Sequence, residues 1–422
     1  MKAKTSTPFK TFYPYLVVII ASLSSLFIGS CDKVTETTTY RIKKAVLTSA
    51  SSIRSLPVGQ QQPVDLCMPG KIYVYGDFLL INEVGKGIHI YNNANPTSPK
   101  NISFISIDGN VDLAVNNNIL YADNHMDLLA FDISDPMNVK LVKRVEDAFP
   151  NTYIDQAKTQ VLTYKDTVVT EIDRDKIIHY SPGRFQEFYA SPALASGNYG
   201  QGGSMARFTL QNGHLYAVDD RDLRLFSVNN ASNPEFIKTI PLGWGIETIF
   251  PYDNKLFIGS TTGMHIYDTS TPSTPQFLST YSHVTSCDPV IVDGNYAYVT
   301  LRSGNFCRSG TNLLQVLDIE DPKIPKLIKS IPMQNPHGLG IYGSDLFICE
   351  GAYGLKVFNK QNVITGGQTL QHITNVVATD VIPTQKSLII TGPTGIYQYD
   401  FSNPSKLVEL SHIDICIDNF YM

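Results

Sequence analysis

Apolar and polar residues alternate in short runs along most of this chain, and the runs recur with a period of about 41 residues. Each copy contains a strand-like run that ends in a large apolar residue, a turn with glycine, a second strand, a polar turn with proline and a third apolar strand. The large apolar position, called the aromatic slot below, is occupied by Leu80, Tyr121, Tyr216, Phe257, Tyr298, Phe347 and Ile389. Successive slots lie 41, 95, 41, 41, 49 and 42 residues apart.

This period predicts the fold class. A unit of three or four short strands cannot bury both of its faces alone, so such units stack radially. The sequence therefore predicts an all-β protein, a seven-bladed β-propeller over residues 66–422. The 95-residue gap predicts a hairpin and loop insertion at about 150–205, with strands at 168–172 and 176–180. A degenerate eighth blade in this gap is the alternative, although no Asp-x-x-x-Pro turn marks it.

The turn after each second strand has an aspartate at a fixed position. Asp132, Asp268, Asp318 and Asp400 each precede a proline by a few residues. Aspartate side chains accept hydrogen bonds from nearby backbone amides and proline fixes φ, so a tight turn is predicted. Calcium binding is the alternative, but each blade offers one carboxylate and not a convergent cage, which favours the turn.

Several stretches carry a family resemblance. The strands Leu314–Asp318 and Leu355–Asn359, with the stretches 69–73, 203–208 and 336–340, resemble the LVIVD-repeat β-propeller lipoproteins of bacteria. The resemblance covers the chain from about residue 66 to its end and implies the propeller fold. It implies no activity.

Residues 1–30 are predicted to be a lipoprotein signal peptide. Lys2, Lys4 and Lys10 give a positively charged start, and Tyr15–Ile28 is an apolar stretch too short to span a membrane stably. The sequence from Ile28 to Cys31 resembles a bacterial lipobox, which predicts that Cys31 is lipidated. An ordinary cleaved signal with a chance cysteine is the alternative.

The residues after the signal are predicted to form a membrane tether. Residues 31–65 are polar and aperiodic, so they are expected to be the lipidated cysteine and a flexible linker. The expected location is the bacterial cell envelope, with the lipid anchor in the outer membrane. The partners expected are the membrane, through this anchor, and a protein or glycan ligand of a monomeric protein.

The net charge of the chain argues against one class of partner. Loss of residues 1–30 removes three of 33 basic residues and none of 38 acidic ones, which leaves a net charge of −8. This negative charge, without runs of Lys and Arg, argues against nucleic acid as a partner.

Cys67 and Cys416 lie near the two ends that meet when a propeller closes, so they could form a disulfide in an oxidising compartment. The alternative is that they are small buried apolar residues.

Catalytic motifs are missing from the sequence. Nine histidines are scattered singly, and Ser204 lacks the strand-turn-helix context of a nucleophile elbow. No catalytic residue is predicted.

A constellation of ionisable residues lies nine or ten positions before the aromatic slots, on the innermost strand of each blade. Its members, called the axial residues, are Lys71, Asp112, Arg207, Glu247, Asp288, His337 and Asp380. In a propeller these strands surround the central channel, so a ring at the channel mouth is predicted as a candidate ligand-binding site. Two interpretations stay open: the ring neutralises itself, or the carboxylates of Asp112, Glu247, Asp288 and Asp380 bind a cation such as Ca²⁺, beside a titratable His337.

Together these features favour a non-catalytic, lipid-anchored binding or scaffold module for protein or glycan. The rival hypothesis is a hydrolase- or lyase-like enzyme that uses a divalent cation in the central channel. No cofactor is required by the sequence, and Ca²⁺ is the one it allows.

Overall fold

The computed structural model describes residues 36–173, 203–282, 289–303, 311–366 and 368–416. These residues belong to two compact units. The smaller unit includes residues 36–44 and 165–173, and the larger unit includes residues 45–164 and the described residues from 203 to 416. Among the described residues, no helix has the length and apolar character needed to cross a bilayer.

Two long strands supply the described part of the smaller unit. Strand β1 (Glu36–Ser49) pairs with β11 (Gln160–Asp173) in a two-stranded sheet, and both strands continue into the larger unit. The predicted strand at 168–172 is therefore present, but its described partner is β1, which the sequence assigns to a flexible linker. The predicted partner at 176–180 lies outside the described residues.

The larger unit contains seven antiparallel sheets, each built from four consecutive strands, and these are the predicted seven blades. Blade 1 is β3 (Pro69–Tyr75), β4 (Phe78–Glu83), β5 (Gly87–Asn92) and β6 (Lys100–Ser106); blade 2 is β7 (Leu113–Asn116), β8 (Ile119–Asn124), β9 (Asp127–Asp132) and β10 (Lys140–Val145). Blade 3 is β12 (Phe208–Gln211), β13 (His214–Val218), β14 (Asp222–Ser227) and β15 (Glu235–Pro241); blade 4 is β16 (Ile246–Tyr252), β17 (Lys255–Ser260), β18 (Gly263–Asp268) and β19 (Gln276–Ser282).

The remaining blades follow the same order. Blade 5 is β20 (Val290–Asp293), β21 (Tyr296–Leu301), β22 (Leu313–Asp318) and β23 (Lys326–Pro332); blade 6 is β24 (Leu339–Tyr342), β25 (Asp345–Cys349), β26 (Leu355–Asn359) and β27 (Gln371–Ile373). Blade 7 is β28 (Asp380–Pro383), β29 (Leu388–Gly392), β30 (Gly395–Asp400) and β31 (Val408–Ile413). The innermost strands of successive blades contact one another, which arranges the blades around a central channel.

The aromatic slots form the packed middle of the blades. All seven slot residues lie on the second strand of a blade and are at most 1% exposed. Two of the slot tyrosines also connect blades: the Tyr121 hydroxyl donates to the Ala231 carbonyl at 2.7 Å, and the Tyr216 hydroxyl donates to the Pro272 carbonyl at 2.8 Å. Burial of these large side chains between sheets is the main stabilising term of such a fold.

The predicted aspartate turns are confirmed. The carboxylates of Asp132, Asp268, Asp318 and Asp400 accept the backbone N–H two residues later, at 2.7–2.9 Å. Blade 6 lacks the proline, and helix α2 (Lys360–Thr365) follows its third strand instead. Asn359 caps this helix by accepting from Gln361 N and Asn362 N, so the polar residue keeps a capping role at this position.

The predicted flexible linker is wrong for its described part from residue 45 onward. Helix α1 (Ala50–Ser55) buries Ile53 against Met126 and Val161, and the Arg54 guanidinium bonds the buried Asp127 carboxylate at 2.8 Å. Strand β2 (Gly59–Gln61) then pairs with β6 as a fifth strand of blade 1. These polar residues are ordered by partners far away in sequence, which local composition does not reveal.

Among the described residues, blades 7 and 1 close the ring without exchanging a strand, because β31 pairs with β30 of its own blade. A disulfide joins Cys67 to Cys416, and Cys416 N donates to the Leu66 carbonyl at 2.7 Å. The buried amides of Asn93 and Gln398 also bond each other in both directions, at 2.8 and 3.0 Å. The seam therefore depends on side chains and a disulfide, and the pairing that the sequence left open is present.

Candidate functional site

The propeller has two different faces because consecutive strands of a blade run in opposite directions. Links from the first to the second strand and from the third to the fourth emerge on one face, and all other links emerge on the opposite face. The six described axial residues lie at or near the start of the innermost strands, on this second face, which we call the mouth face. Residues 146–164 and 203–207, the described ends of the insertion within the propeller unit, also lie between blades 2 and 3 on the mouth face.

Four axial residues form a charged cluster at the channel mouth. Lys71, Asp112 and Asp380 are buried, and the Lys71 ammonium lies within electrostatic range of both carboxylates and of Arg207. One Asp112 oxygen accepts the backbone N–H groups of Arg207 and Phe208, and its other oxygen accepts Leu113 N at 2.7 Å. Asp112 therefore joins blade 2 to blade 3 and balances charge at the same time.

Burial is the largest influence on the pKa values of Lys71, Asp112 and Asp380. It lowers the pKa of Lys71 to about 8, although Asp112 and Asp380 oppose the shift. Burial also raises the pKa of Asp112, and it raises the pKa of Asp380 well above its usual range, with Lys71 opposing both shifts. One Asp380 oxygen accepts Val381 N at 2.8 Å, whereas the other has no hydrogen-bond partner among the described residues.

The end of the insertion reaches the cluster. Residues 203–206 form a turn in which Ala206 N donates to the Gly203 carbonyl at 3.0 Å. The Lys71 ammonium donates a hydrogen bond to the Met205 carbonyl in this turn. The fully buried Ser204 accepts from Leu339 N of blade 6 at 3.3 Å. Contacts with blades 1 and 6 place this turn across the centre of the mouth. The Ser204 hydroxyl bonds a backbone amide, and β12 follows it where a nucleophile elbow would have a helix.

The other axial residues are placed differently. The buried His337 ring accepts at Nε2 from Asn335 and Arg302, at 3.1 and 3.2 Å, and its Nδ1 has no partner among the described residues. Burial and, to a smaller extent, the positive charge of Arg302 together lower the pKa of His337 to about 3, so this histidine is neutral at physiological pH. Glu247 is half-buried in β16, and Asp288 lies outside the described residues.

The predicted cation ligands can be compared with this geometry. Within the described ranges, no three His, Cys, Asp or Glu side chains are grouped closely enough to hold a metal ion. Both Asp112 oxygens already accept backbone N–H groups, and the ammonium of Lys71 supplies positive charge beside Asp380. The described part of the site therefore favours an internally neutralised cluster.

A second set of carboxylates at the mouth was missed by the sequence analysis. Glu83, Asp123 and Glu350 lie at or next to the ends of the second strands of blades 1, 2 and 6. Each accepts two consecutive backbone N–H groups that precede the innermost strand of the same blade, at 2.6–2.9 Å. The signal was available, since an acidic residue follows the aromatic slot by two or three positions in these blades. These carboxylates fix the blade-to-blade links on which the axial residues lie.

Two exposed aromatic residues on the mouth face were also missed. Trp244, the one tryptophan of the chain, is 72% exposed in the link between blades 3 and 4, and Tyr353 is 48% exposed in blade 6. The backbone of the Trp244 link is held by the preceding blade: Leu242 N donates to the Arg221 carbonyl at 2.8 Å, and Gly245 N to the Asp220 carbonyl at 2.9 Å. The indole is therefore presented from a fixed backbone.

Comparison with known proteins identifies the repeat. The LVIVD repeat model matches residues 109–147 and 286–331, which contain blades 2 and 5. This protein is a seven-bladed β-propeller that contains LVIVD repeats. No match was found among curated proteins.

Solved structures are similar to this protein at low sequence identity. The computationally designed Ika8 protein is 10% identical, with a TM-score of 0.52 over 85% of this chain and 92% of that one. BamB from Moraxella catarrhalis is 8% identical, with a TM-score of 0.47 over 85% of this chain and 96% of that one. Hsv2 from Kluyveromyces lactis is 12% identical, with a TM-score of 0.48 over 82% of this chain and 100% of that one. At 10% identity the likeness to the Ika8 protein concerns the fold alone.

The lowered pKa of Lys71 predicts a pH dependence of stability. Between the folded pKa of about 8 and the ordinary value of 10.5, the unfolded chain holds a proton that the folded chain has lost. The free energy of unfolding therefore rises with pH in this window. From about pH 7.5 to about pH 9.5, the rise should be about 2 kcal/mol larger in the wild type than in Lys71→Met, measured by urea unfolding. Parallel pH profiles for the two proteins would contradict this assignment.

Proposed function

We propose that this protein is a lipid-anchored binding module of the bacterial cell envelope, and that its mouth face holds a protein or glycan ligand without changing it chemically. The observation that carries the proposal is the exposed Trp244, fixed by backbone hydrogen bonds on the face where the insertion begins and ends. Large aromatic side chains on rigidly held loops are typical recognition residues. Tyr353 adds a second one on the same face.

The state of the channel mouth supports binding over catalysis. Lys71, Asp112 and Ser204 bond to backbone groups of neighbouring segments, so they stabilise the ring and the 203–206 turn. A catalytic group needs a free reactive atom facing a substrate. Lys71, Asp112 and Ser204 make their hydrogen bonds within the protein, whereas Trp244 and Tyr353 are exposed to solvent.

The binding function can be tested with the full-length protein in detergent. Retention would be measured on three envelope fractions of the producing bacterium: peptidoglycan sacculi, lipopolysaccharide and outer-membrane proteins. We expect one fraction to retain the wild type and the double variant Trp244→Ala, Tyr353→Ala to be retained at least about tenfold more weakly. The matched control is Phe277→Ala, which removes an aromatic residue that is 56% exposed on the outermost strand of blade 4. Equal retention of the double variant and the wild type, or retention by no fraction, would overturn the proposal.

The anchor is part of the proposal and has its own prediction. The lipobox-like sequence from Ile28 to Cys31 supports lipidation, and the Cys67–Cys416 disulfide fits an oxidising compartment outside the cytoplasm. Cys31→Ser should move the protein from the membrane fraction to the soluble fraction or leave its signal peptide uncleaved, as seen by fractionation and mass spectrometry. A variant that is cleaved and still sediments with membranes would refute the lipid anchor.

The rival function, an enzyme with a divalent cation in the channel, makes a different prediction. A cation bound only by the folded state would stabilise it by mass action, so a chelator would lower the melting temperature. The neutralised cluster predicts no change with EDTA, because Lys71 and backbone N–H groups already compensate Asp112. A fall in melting temperature that Asp112→Asn, Asp380→Asn abolishes would favour the rival.

A further inference from the structure

Resting on the proposed binding function, we infer that its ligand is a neutral carbohydrate and that Trp244, Asp220 and Arg221 form the sugar-binding site. These three side chains belong to two links that lie against each other on the mouth face. Trp244 is 72% exposed, and the side chains of Asp220 and Arg221 are 51% and 60% exposed. The site therefore combines an aromatic surface with a hydrogen-bond acceptor and a hydrogen-bond donor that are open to solvent.

The backbone makes this arrangement specific to the sequence. The Asp220 carbonyl accepts from Gly245 N and Ile246 N, and the Arg221 carbonyl accepts from Leu242 N and Gly243 N, at 2.8–3.2 Å. Gly245 has φ +85°, and a Cβ there would lie 2.3 Å from the Thr261 hydroxyl, so only glycine fits. The link holding Trp244 is thus fastened on both sides of the indole to the two residues that would share the ligand.

A polar network supports the turn that carries Asp220 and Arg221. The Asn151 amide, from the start of the insertion, donates to Asp219 and Asp222 at 3.0 and 2.9 Å. The guanidinium of the buried Arg224 bonds Asp222 at 2.8 Å. Because these carboxylates are hydrogen-bonded within the protein, the turn is rigid. The Asp220–Arg221 pair is exposed at the surface, and its contact is long, at 3.4 Å between Nε and Oδ2.

The chemistry of these groups matches a sugar better than a protein. A pyranose offers an apolar face of C–H groups to an aromatic ring and hydroxyls at its edges to carboxylate and guanidinium groups. A protein interface needs an apolar core around its aromatic anchor, whereas the residues fastened to the Trp244 link are charged. The net charge of −8 expected after loss of residues 1–30 disfavours polyanionic glycans. The Asp220–Arg221 pair carries one charge of each sign, which suits a neutral sugar.

The single tryptophan provides a direct assay on the full-length protein in detergent. Emission of Trp244 would be recorded during titration with cellohexaose, maltohexaose and N-acetylchitohexaose. We expect at least one of these sugars to shift the emission to shorter wavelength and to saturate. Arg221→Ala and Asp220→Ala both keep Trp244 as the fluorescent reporter, and each should lower the affinity for this sugar at least about fivefold. Phe277→Ala should bind the sugar with the affinity of the wild type.

The outcomes distinguish the carbohydrate site from the more general binding function of the mouth face. A saturable shift that the Asp220 and Arg221 variants lose supports the sugar site. If no sugar changes the emission but envelope retention still depends on Trp244, the carbohydrate inference is wrong and the binding function stands, with protein as the ligand. If retention does not depend on Trp244 either, both are wrong. A shift that persists unchanged in both variants would also overturn the assignment of this site.

Discussion

Asp112→Asn should lower the free energy of unfolding by about 3–5 kcal/mol, one of the two largest losses expected from a small change in this protein. The Asp112 carboxylate accepts Leu113 N of its own blade together with Arg207 N and Phe208 N of the next blade. An asparagine amide would place N–H donors against at least one of these donors. It would also remove a negative charge beside the buried Lys71.

A neighbouring aspartate gives a matched control for this experiment. The Asp108 side chain is 47% exposed and bonds His125 at 3.0 Å, so Asp108→Asn should cost at most about 1 kcal/mol. Both variants would be compared by urea unfolding at one pH. A loss below about 1 kcal/mol for Asp112→Asn would mean that the charged cluster does not hold blades 2 and 3 together.

Removal of the Cys67–Cys416 disulfide is expected to have a comparable effect, about 2–5 kcal/mol. The bond joins residues 349 positions apart, and in the described part of the chain no exchanged strand supports the seam between blades 7 and 1. The described contacts that would still close the seam include the Asn93–Gln398 amide pair, the bond from Cys416 N to the Leu66 carbonyl, the bond from the Ser411 hydroxyl to the Pro96 carbonyl at 2.6 Å, the Lys386–Asp77 ion pair and the apolar contacts of the two blades.

The disulfide prediction is tested with the double variant Cys67→Ser, Cys416→Ser. Its melting temperature should fall below that of the wild type, and dithiothreitol should lower the wild type to a similar value without affecting the variant. The other cysteines of the chain, Cys31, Cys287, Cys307 and the buried Cys349, are unchanged in the variant, so any effect of dithiothreitol on them is seen in the variant as well. A wild type insensitive to dithiothreitol, or a variant as stable as the oxidised wild type, would show that the seam closes without the bond.

Much of the fold could be predicted from the sequence because its signals are local and repeated. The aromatic slots mark the second strand of every blade, and the aspartate turns mark the link after the third strand. The axial residues were found because a position nine or ten residues before the slot begins the innermost strand. Four of them, Lys71, Asp112, Arg207 and Asp380, are brought into electrostatic contact.

The remainder depended on contacts between distant segments, which a repeat pattern does not contain. The order of residues 45–61 comes from packing on blades 1 and 2, and the strand at 168–172 pairs with β1. The turn at 203–206 fills the mouth only because Leu339 and Lys71 bond it from other blades. Trp244 was missed for a different reason: it belongs to a link outside the repeated pattern.

The central claim, that ligand binds the mouth face, can be tested by photo-crosslinking in intact cells. A benzophenone amino acid would replace Tyr353 on the mouth face or Asn118 in the turn between β7 and β8 on the opposite face of the full-length protein. The proposed function predicts a crosslinked product of higher mass from position 353 that disappears with Trp244→Ala, and none from position 118. Crosslinking from position 118 alone, or from position 353 regardless of Trp244, would contradict it.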